Sequence, residues 1–262
     1  MPEAHSPSPV PVVAGLKILR WSLGGDGIGV PESGELEGLV IFVPRVVPGD
    51  VVDVKITRKK RRWARGEVVR VHEPSPHRRA AACPHQARCG GCPWMVGDAA
   101  TRREARLSVL RSEAIKRLQW SPEEAADRIQ ADPHEPAELG YRNRLRLAFN
   151  ARGEEVRLGY RRDRTHEIID ITRCPIAVPA LEAALIDVRA RVIASGQREG
   201  EVRLVAGAEG VAGCIQGQGA EVRFGPERVT LTFGDVEMRV SPTDFVQGNA
   251  EVAGRLAPQV GA

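Results

Sequence analysis

The chain has 262 residues, and its 38 Lys and Arg against 34 Asp and Glu leave a net charge of +4, too small to imply a partner. With 42% hydrophobic and 27% charged residues it has ordinary globular composition, enough for one or two domains with real cores. It contains no apolar run of about 18 residues, and the opening MPEAHSPSPV does not read as a secretory signal. Secreted, membrane, collagenous and wholly disordered classes are thereby excluded, and a cytoplasmic protein is expected.

Residues 1–9, with Pro2, Pro7 and Pro9 and no periodicity, read as a disordered tail. From 10 to 72 the text is short β-like runs cut by turns. Val12-Val13 and Leu16–Leu19 come first, then the loop Gly24-Gly25-Asp26-Gly27 and the apolar run Gly38–Val43. The turn Pro48-Gly49-Asp50 leads to Val52–Ile56, alternating with period two, and Gly66–Val71 follows. Five short strands in about 60 residues predict a small barrel. Residues 73–95 are loop-like and hold three cysteines.

Next comes a helix, read as starting on the capping pattern Thr101-Arg102-Arg103-Glu104, with Leu107, Leu110, Ala114 and Leu118 on one stripe. Ser121-Pro122 opens a second, short helix. Tyr141–Phe149 reads as a strand with Arg142, Arg144 and Arg146 on one face and Leu145, Leu147 and Phe149 on the other. Further strands are expected at Glu155–Gly159, Glu167–Ile171, Glu201–Val205, Val211–Gln216, Val229–Phe233 and Val236–Val240. Pro179–Ile193 is a helix with Leu181, Leu185, Val188 and Val192 on one stripe. Residues 96–240 are therefore expected to be a central α+β domain, and 241–262 the start of another element that stops early.

The small net charge hides an asymmetry. Lys55–Arg70 carries eight basic residues against one acid, with Lys59, Lys60, Arg61 and Arg62 consecutive, and Tyr141–Cys174 carries nine Arg against five acids. Glu201–Ala262 is acidic on balance. Two basic regions point to a polyanion, since each Lys or Arg on a phosphate releases a counterion.

Three of the five cysteines, Cys83, Cys89 and Cys92, stand in CPHQARCGGC. Thiolates this close converge on one metal centre, and Gly90-Gly91 lets the backbone turn tightly between them. Cys174, in Thr172-Arg173-Cys174-Pro175, is the expected fourth ligand. His85 has an awkward reach, and Cys214 reads as a small core residue. The spacing leaves zinc and a [4Fe–4S] cluster both open.

These blocks resemble the bacterial RNA uracil-5-methyltransferases of the iron–sulfur branch that modifies large-subunit (23S) ribosomal RNA. The barrel, with Gly24–Gly29, Val43-Pro44 and Pro48-Gly49-Asp50, resembles a TRAM domain, an OB-like RNA-binding module. The three clustered cysteines with Asp170–Ile176, Tyr141–Arg146 with Leu158–Arg161, and Ser241–Asn249 match the family in order. The resemblance implies a [4Fe–4S] cluster on Cys83, Cys89, Cys92 and Cys174, and S-adenosylmethionine contacted by Gln247. It also implies RNA held by Lys59, Lys60, Arg61, Arg62, Arg142, Arg144 and Arg146.

In such enzymes a Cys thiolate adds to carbon 6 of uracil, carbon 5 takes the methyl of S-adenosylmethionine, and a base removes the carbon 5 proton so that the thiolate leaves. The base to be methylated must first leave its stack. The glycine-rich cofactor loop, the Asp-Pro-Pro-Arg-type motif, the nucleophile and the base of that family have no counterpart here, so no catalytic residue is assigned. The expectation is a multidomain chain: a TRAM barrel at 10–72, an iron–sulfur motif at 73–95, the central domain at 96–240 and only the first residues of a Rossmann-like domain at 241–262. It is expected to be inactive alone. The rivals are a non-catalytic iron–sulfur or zinc RNA-binding protein, and one half of a split enzyme with a separate catalytic chain.

Overall fold

The computed structural model describes residues 11–260; the tail expected at 1–9 and the last two residues lie outside them. The chain forms two units. The first comprises the residues up to 81 together with 92–133, and the second comprises 82–91 and the residues from 134 onward.

The first unit contains the predicted barrel. Strands β1 (Val12–Trp21), β2 (Gly27–Gly29), β3 (Val40–Val43), β4 (Val51–Lys59) and β5 (Trp63–Glu73) close in the order β1-β2-β3-β5-β4. The runs at Val12 and Leu16 are one bulged strand rather than two. Alternation turns Val52, Val54 and Ile56 inward against Leu16, Ile18, Ile41 and Val43. Gly66 is required by this packing, because a Cβ there would lie 2.2 Å from Val54. Below the barrel wall, the fully buried Asp50 carboxylate accepts from the Val47 and Ser75 amides and from Arg78 Nε at 3.0 Å.

Two helices, α1 (Ala99–Leu118) and α2 (Pro122–Arg128), belong to this unit and not to the central domain expected at 96–240. The reason is apolar: Trp94, Val96 and Ala105 pack with Trp21 and Val47, and Trp94 stacks on Trp21 with ring centroids 5.1 Å apart. The N-cap of α1 is Asp98, whose carboxylate accepts from the Thr101 amide at 2.8 Å, so Thr101 lies inside the helix rather than at its cap. Ser121 caps α2, with Pro122 at its first position as predicted.

The second unit is an antiparallel sheet of order β11-β10-β9-β6-β7-β8, built from β6 (Arg144–Arg152), β7 (Glu155–Arg161), β8 (Ile168–Asp170), β9 (Glu199–Gly207), β10 (Gly210–Gly217) and β11 (Val222–Phe224). Helix α3 (Pro179–Ala194) lies against β6, β7, β9 and β10 and buries the predicted Leu181, Leu185, Val188 and Val192. Leu145, Leu147 and Phe149 of β6 are buried. The predicted strand at 141–149 starts only at Arg144. Arg142 precedes it, its amide donating to Ile176 O and its carbonyl accepting from Val178.

The hairpin β12 (Val229–Phe233) and β13 (Val236–Val240) and the helix α4 (Ala250–Val260) complete this unit. Residues 241–260 do not open a separate Rossmann-like domain in the structure. Val246, Ala250 and Ala253 share one core with Val229, Leu231, Phe233 and Val240, and with Val205 and Ala212 of the sheet. No described helix is long and apolar enough to cross a membrane.

Candidate functional site

Lys59, Lys60, Arg61 and Arg62 form the tip of the β4–β5 hairpin. Lys60 N–H donates to Trp63 O at 2.8 Å to close the turn, and all four side chains are exposed. Lys59 reaches Glu35 at 3.3 Å, an exposed pair of small energetic weight. Behind the tip the aromatic and basic side chains interleave. Arg58 lies 5.7 Å from the Trp63 ring, Trp63 meets Phe42 edge-on at 6.2 Å, and Arg65 lies 5.7 Å from Phe42. Arg65 also pairs with the buried Asp26 at 2.9 Å, so its charge serves the barrel while the tip residues face solvent.

On the second unit the three expected arginines have different surroundings. Arg146 gives a two-pronged pair to Glu201 of β9, with both hydrogen bonds at 2.8 Å. Arg203, directly opposite Arg146 in register, also reaches Glu201 at 3.6 Å. These arginines hold the Glu201 carboxyl below its ordinary value, the Arg146 hydrogen bond most of all. Arg142 turns its Nε onto Arg144 O at 3.0 Å. Arg144 is half-buried, and its Nε has no hydrogen-bond partner. Burial comes first among the causes that press its pKa down, followed by the charges of Arg203, Arg146 and Arg142. Arg203 and Glu201 were invisible to sequence reasoning, because only the β6–β9 register brings them to Arg146.

The block Ser241–Asn249 is fixed to the start of β6. Asn143 N–H donates to Gly248 O at 3.0 Å, and Asn249 bridges to Arg142. Val246 is buried between two exposed neighbours, Phe245 at 79% and Gln247. Asn249 has a structural task, its Oδ1 accepting from the Val252 amide at the start of α4. Asn143 itself is buried at 5% exposure, and neither end of its amide finds a hydrogen-bond partner, an unusual cost for a native interior.

Cys83, Cys89 and Cys174 lie in the second unit, and Cys92 begins the segment that belongs with the barrel. Cys174 is buried, and burial raises its thiol pKa, with Cys83 adding to the rise through its charge. Gly91 N–H donates to Cys89 Sγ at 3.4 Å. Gly90 N–H donates to Arg161 O, and a Cβ there would stand 2.8 Å from that oxygen. Arg88 pairs with Glu167 at 2.9 Å, tying the cysteine loop to the β7–β8 turn.

His85 buries its Nε2 without a partner. Thiols, glycine turns and an orphaned buried nitrogen suit a thiolate-bound group by chemistry. Among the described residues, however, no three His, Cys, Asp or Glu side chains are grouped to hold a metal ion. Cys214 is fully buried in β10, the core residue the sequence predicted.

Residues 17–69 match the TRAM domain family, within the barrel strands described above. Over 255 residues the chain is 29% identical to the 23S rRNA (uracil(1939)-C(5))-methyltransferase RlmD of Pectobacterium atrosepticum, covering 85% of this chain and 55% of that one. The enzyme of the same name from Vibrio cholerae is 31% identical over 194 residues, 72% of this chain and 43% of its own. An uncharacterized RNA methyltransferase of Gloeobacter violaceus is 33% identical over 181 residues, 68% and 38%.

The fold matches the Pyrococcus abyssi tRNA (uracil-54, C5)-methyltransferase, solved with S-adenosyl-L-homocysteine. The TM-score is 0.64 at 21% identity, over 94% of this chain and 64% of that one. The chain thus spans about half the length of these curated relatives or less, from 38% to 55%. It carries a TRAM domain and is homologous to the RNA uracil-C5-methyltransferases.

Proposed function

We propose that this chain is the RNA-binding part of an S-adenosylmethionine-dependent RNA uracil-C5-methyltransferase acting on ribosomal RNA in the cytoplasm. One observation carries the reading. In a chain homologous to such enzymes, the Ser241–Asn249 block is seated on Arg142 and Asn143 with Gln247 exposed beside an arginine-bearing sheet. Gln247 contacts S-adenosylmethionine in this reading. The exposed tip Lys59–Arg62 holds phosphates, and Arg142 and Arg144 at the start of β6 continue the RNA path. These interactions supply the free energy, a few kcal/mol, that extrusion of a uridine from its stack costs.

The thiolate and the base of the transfer are assigned to no described residue, since Cys174 and Cys214 are both buried. In this reading they, and the bulk of a Rossmann-like domain, correspond to the part of the relatives that the chain does not match. Each relative carries its matched and unmatched parts in one chain, which gives no support to a separate catalytic subunit. Cys83, Cys89, Cys92 and Cys174 would hold a [4Fe–4S] cluster that ties the CPHQARCGGC loop to the Cys174 loop. Its role is structural, and no step of the transfer passes through it.

The test is binding of a uridine-containing fragment of large-subunit ribosomal RNA by the 262-residue chain, followed over a range of salt. Binding that weakens steeply with salt supports the reading, and the lack of any salt-dependent binding overturns it. Methyl transfer to uridine by these 262 residues alone would overturn the placement of the nucleophile outside them.

A further inference from the structure

We infer that Arg144, with Arg142 and Arg203, forms an oxyanion pocket on the face of the six-stranded sheet opposite the buried Leu145 and Leu147, and that it takes one phosphodiester of the RNA strand. The inference rests on the reading above that the chain binds RNA. It separates Arg144 from Arg146, its neighbour on the same face of β6.

The argument begins with register. Arg144 stands opposite Val205, and Arg146 opposite Arg203. Alternation puts Arg144, Arg146 and Arg203 on one face, with Arg203 diagonal to Arg144. Val205 and Ala212 beside it are covered by the β12–β13 hairpin. Arg144 therefore sits at the rim of that cover, half-buried, while Arg146 is 61% exposed. Arg142 is drawn to the same place by its bond to Arg144 O.

Charge then sets the three apart. Arg146 has a two-pronged carboxylate, and Arg203 shares it at longer range. Arg144 makes no ion pair among the described residues, and its Nε is buried without an acceptor. The Nε of Arg203 is also buried without an acceptor. The Asp244 charge attracts Arg144 less than burial and the neighbouring arginines oppose its charge, and Asp244 is itself engaged by the Ser241 amide at 2.9 Å and by Arg228 at 3.4 Å.

A guanidinium taken partly out of water among like charges is unfavourable unless an anion meets it. Its planar fork presents parallel N–H donors that suit the two free oxygens of a phosphodiester. The unused Nε–H of Arg203 beside it extends the match. The Glu201 carboxylate cannot fill this role, because Arg146 already holds both its oxygens.

The experiment compares the chain with Arg144→Gln, Arg203→Gln and Arg146→Gln in two assays. One is binding of a single-stranded uridine-containing oligonucleotide across a salt series. The other is the rise in melting temperature produced by inorganic phosphate. Arg144→Gln should weaken RNA binding by about tenfold and lower the salt slope by about one, and should abolish phosphate protection. Arg203→Gln should do the same, so a folding defect in either variant does not decide the matter. Arg146→Gln should change both readouts less than about twofold, as expected for a charge already neutralised.

Wild-type behaviour of Arg144→Gln and Arg203→Gln in both assays overturns the pocket, as does an equal loss in Arg146→Gln. Phosphate protection that depends on Arg144 in a chain that binds no RNA upholds the pocket and overturns the RNA reading on which its ligand rests.

Discussion

Arg146 of β6 and Glu201 of β9 are diagonal neighbours across two paired strands, and their two hydrogen bonds, both 2.8 Å, consume the charge of an arginine that the sequence presents as a phosphate ligand. Glu201→Gln releases Arg146 and Arg203 together. RNA affinity should rise, and the slope of log affinity against log salt should steepen by up to about two. The cost in stability should stay near 1 kcal/mol or below, because Arg146 is largely exposed. A salt series with a melting curve checks both.

The hairpin tip offers the opposite case. Replacing Lys60, Arg61 and Arg62 together by Ala removes three exposed cations that support no core residue. RNA binding should weaken by more than tenfold and the salt slope should fall by about three, roughly one for each phosphate left without its cation. Thermal stability should be unchanged within the scatter of surface substitutions, about 0.5 kcal/mol.

Asp50 predicts a failure of the barrel rather than of binding. Its carboxylate is completely buried and meets Arg78 at 2.5 Å and 3.0 Å as well as two backbone amides. Asp50→Ala leaves a guanidinium and two amides without their acceptor, and should cost about 3–5 kcal/mol. Denaturant unfolding of the whole chain measures it.

Asp98 gives a pH signature. The Thr101 amide, aided by His77, holds its carboxyl at about 2, below the ordinary 3.8. The folded value lies below the unfolded one, so its contribution to α1 is complete above about 3.8 and is lost as the pH falls towards 2. Asp98→Ala should cost about 1 kcal/mol at neutral pH and should remove this acid sensitivity. Amide exchange at the first turn of α1 reports both.

The cysteines separate the cluster from zinc. Anaerobically purified protein should be coloured and hold iron and sulfide in equal amounts, and Cys174→Ser should remove both. Cys214→Ala should keep them and lose only packing. A colourless protein with one zinc per chain would refute the cluster.

Periodicity carried most of the elements into view. Leu181, Leu185, Val188 and Val192 announce α3, Val52, Val54 and Ile56 announce β4, and Pro122 after Ser121 marks the start of α2. What stayed hidden depends on partners far away in sequence. The cap of α1 is Asp98 because its carboxylate reaches the Thr101 amide, a fact of loop geometry rather than of residue type. The grouping of α1 and α2 with the barrel depends on Trp94 meeting Trp21, 73 positions earlier. The unequal standing of Arg144 and Arg146, alike in the text, follows from which residues of β9 lie across from them.

The borders of the six-stranded sheet are β8 and β11, each only three residues long. An outermost strand is where a foreign backbone can add itself, and its length limits how many hydrogen bonds an intruder gains. At three residues that gain is too small to hold a stray strand. The six-stranded sheet can therefore be concentrated in a test tube without growing from its own edges.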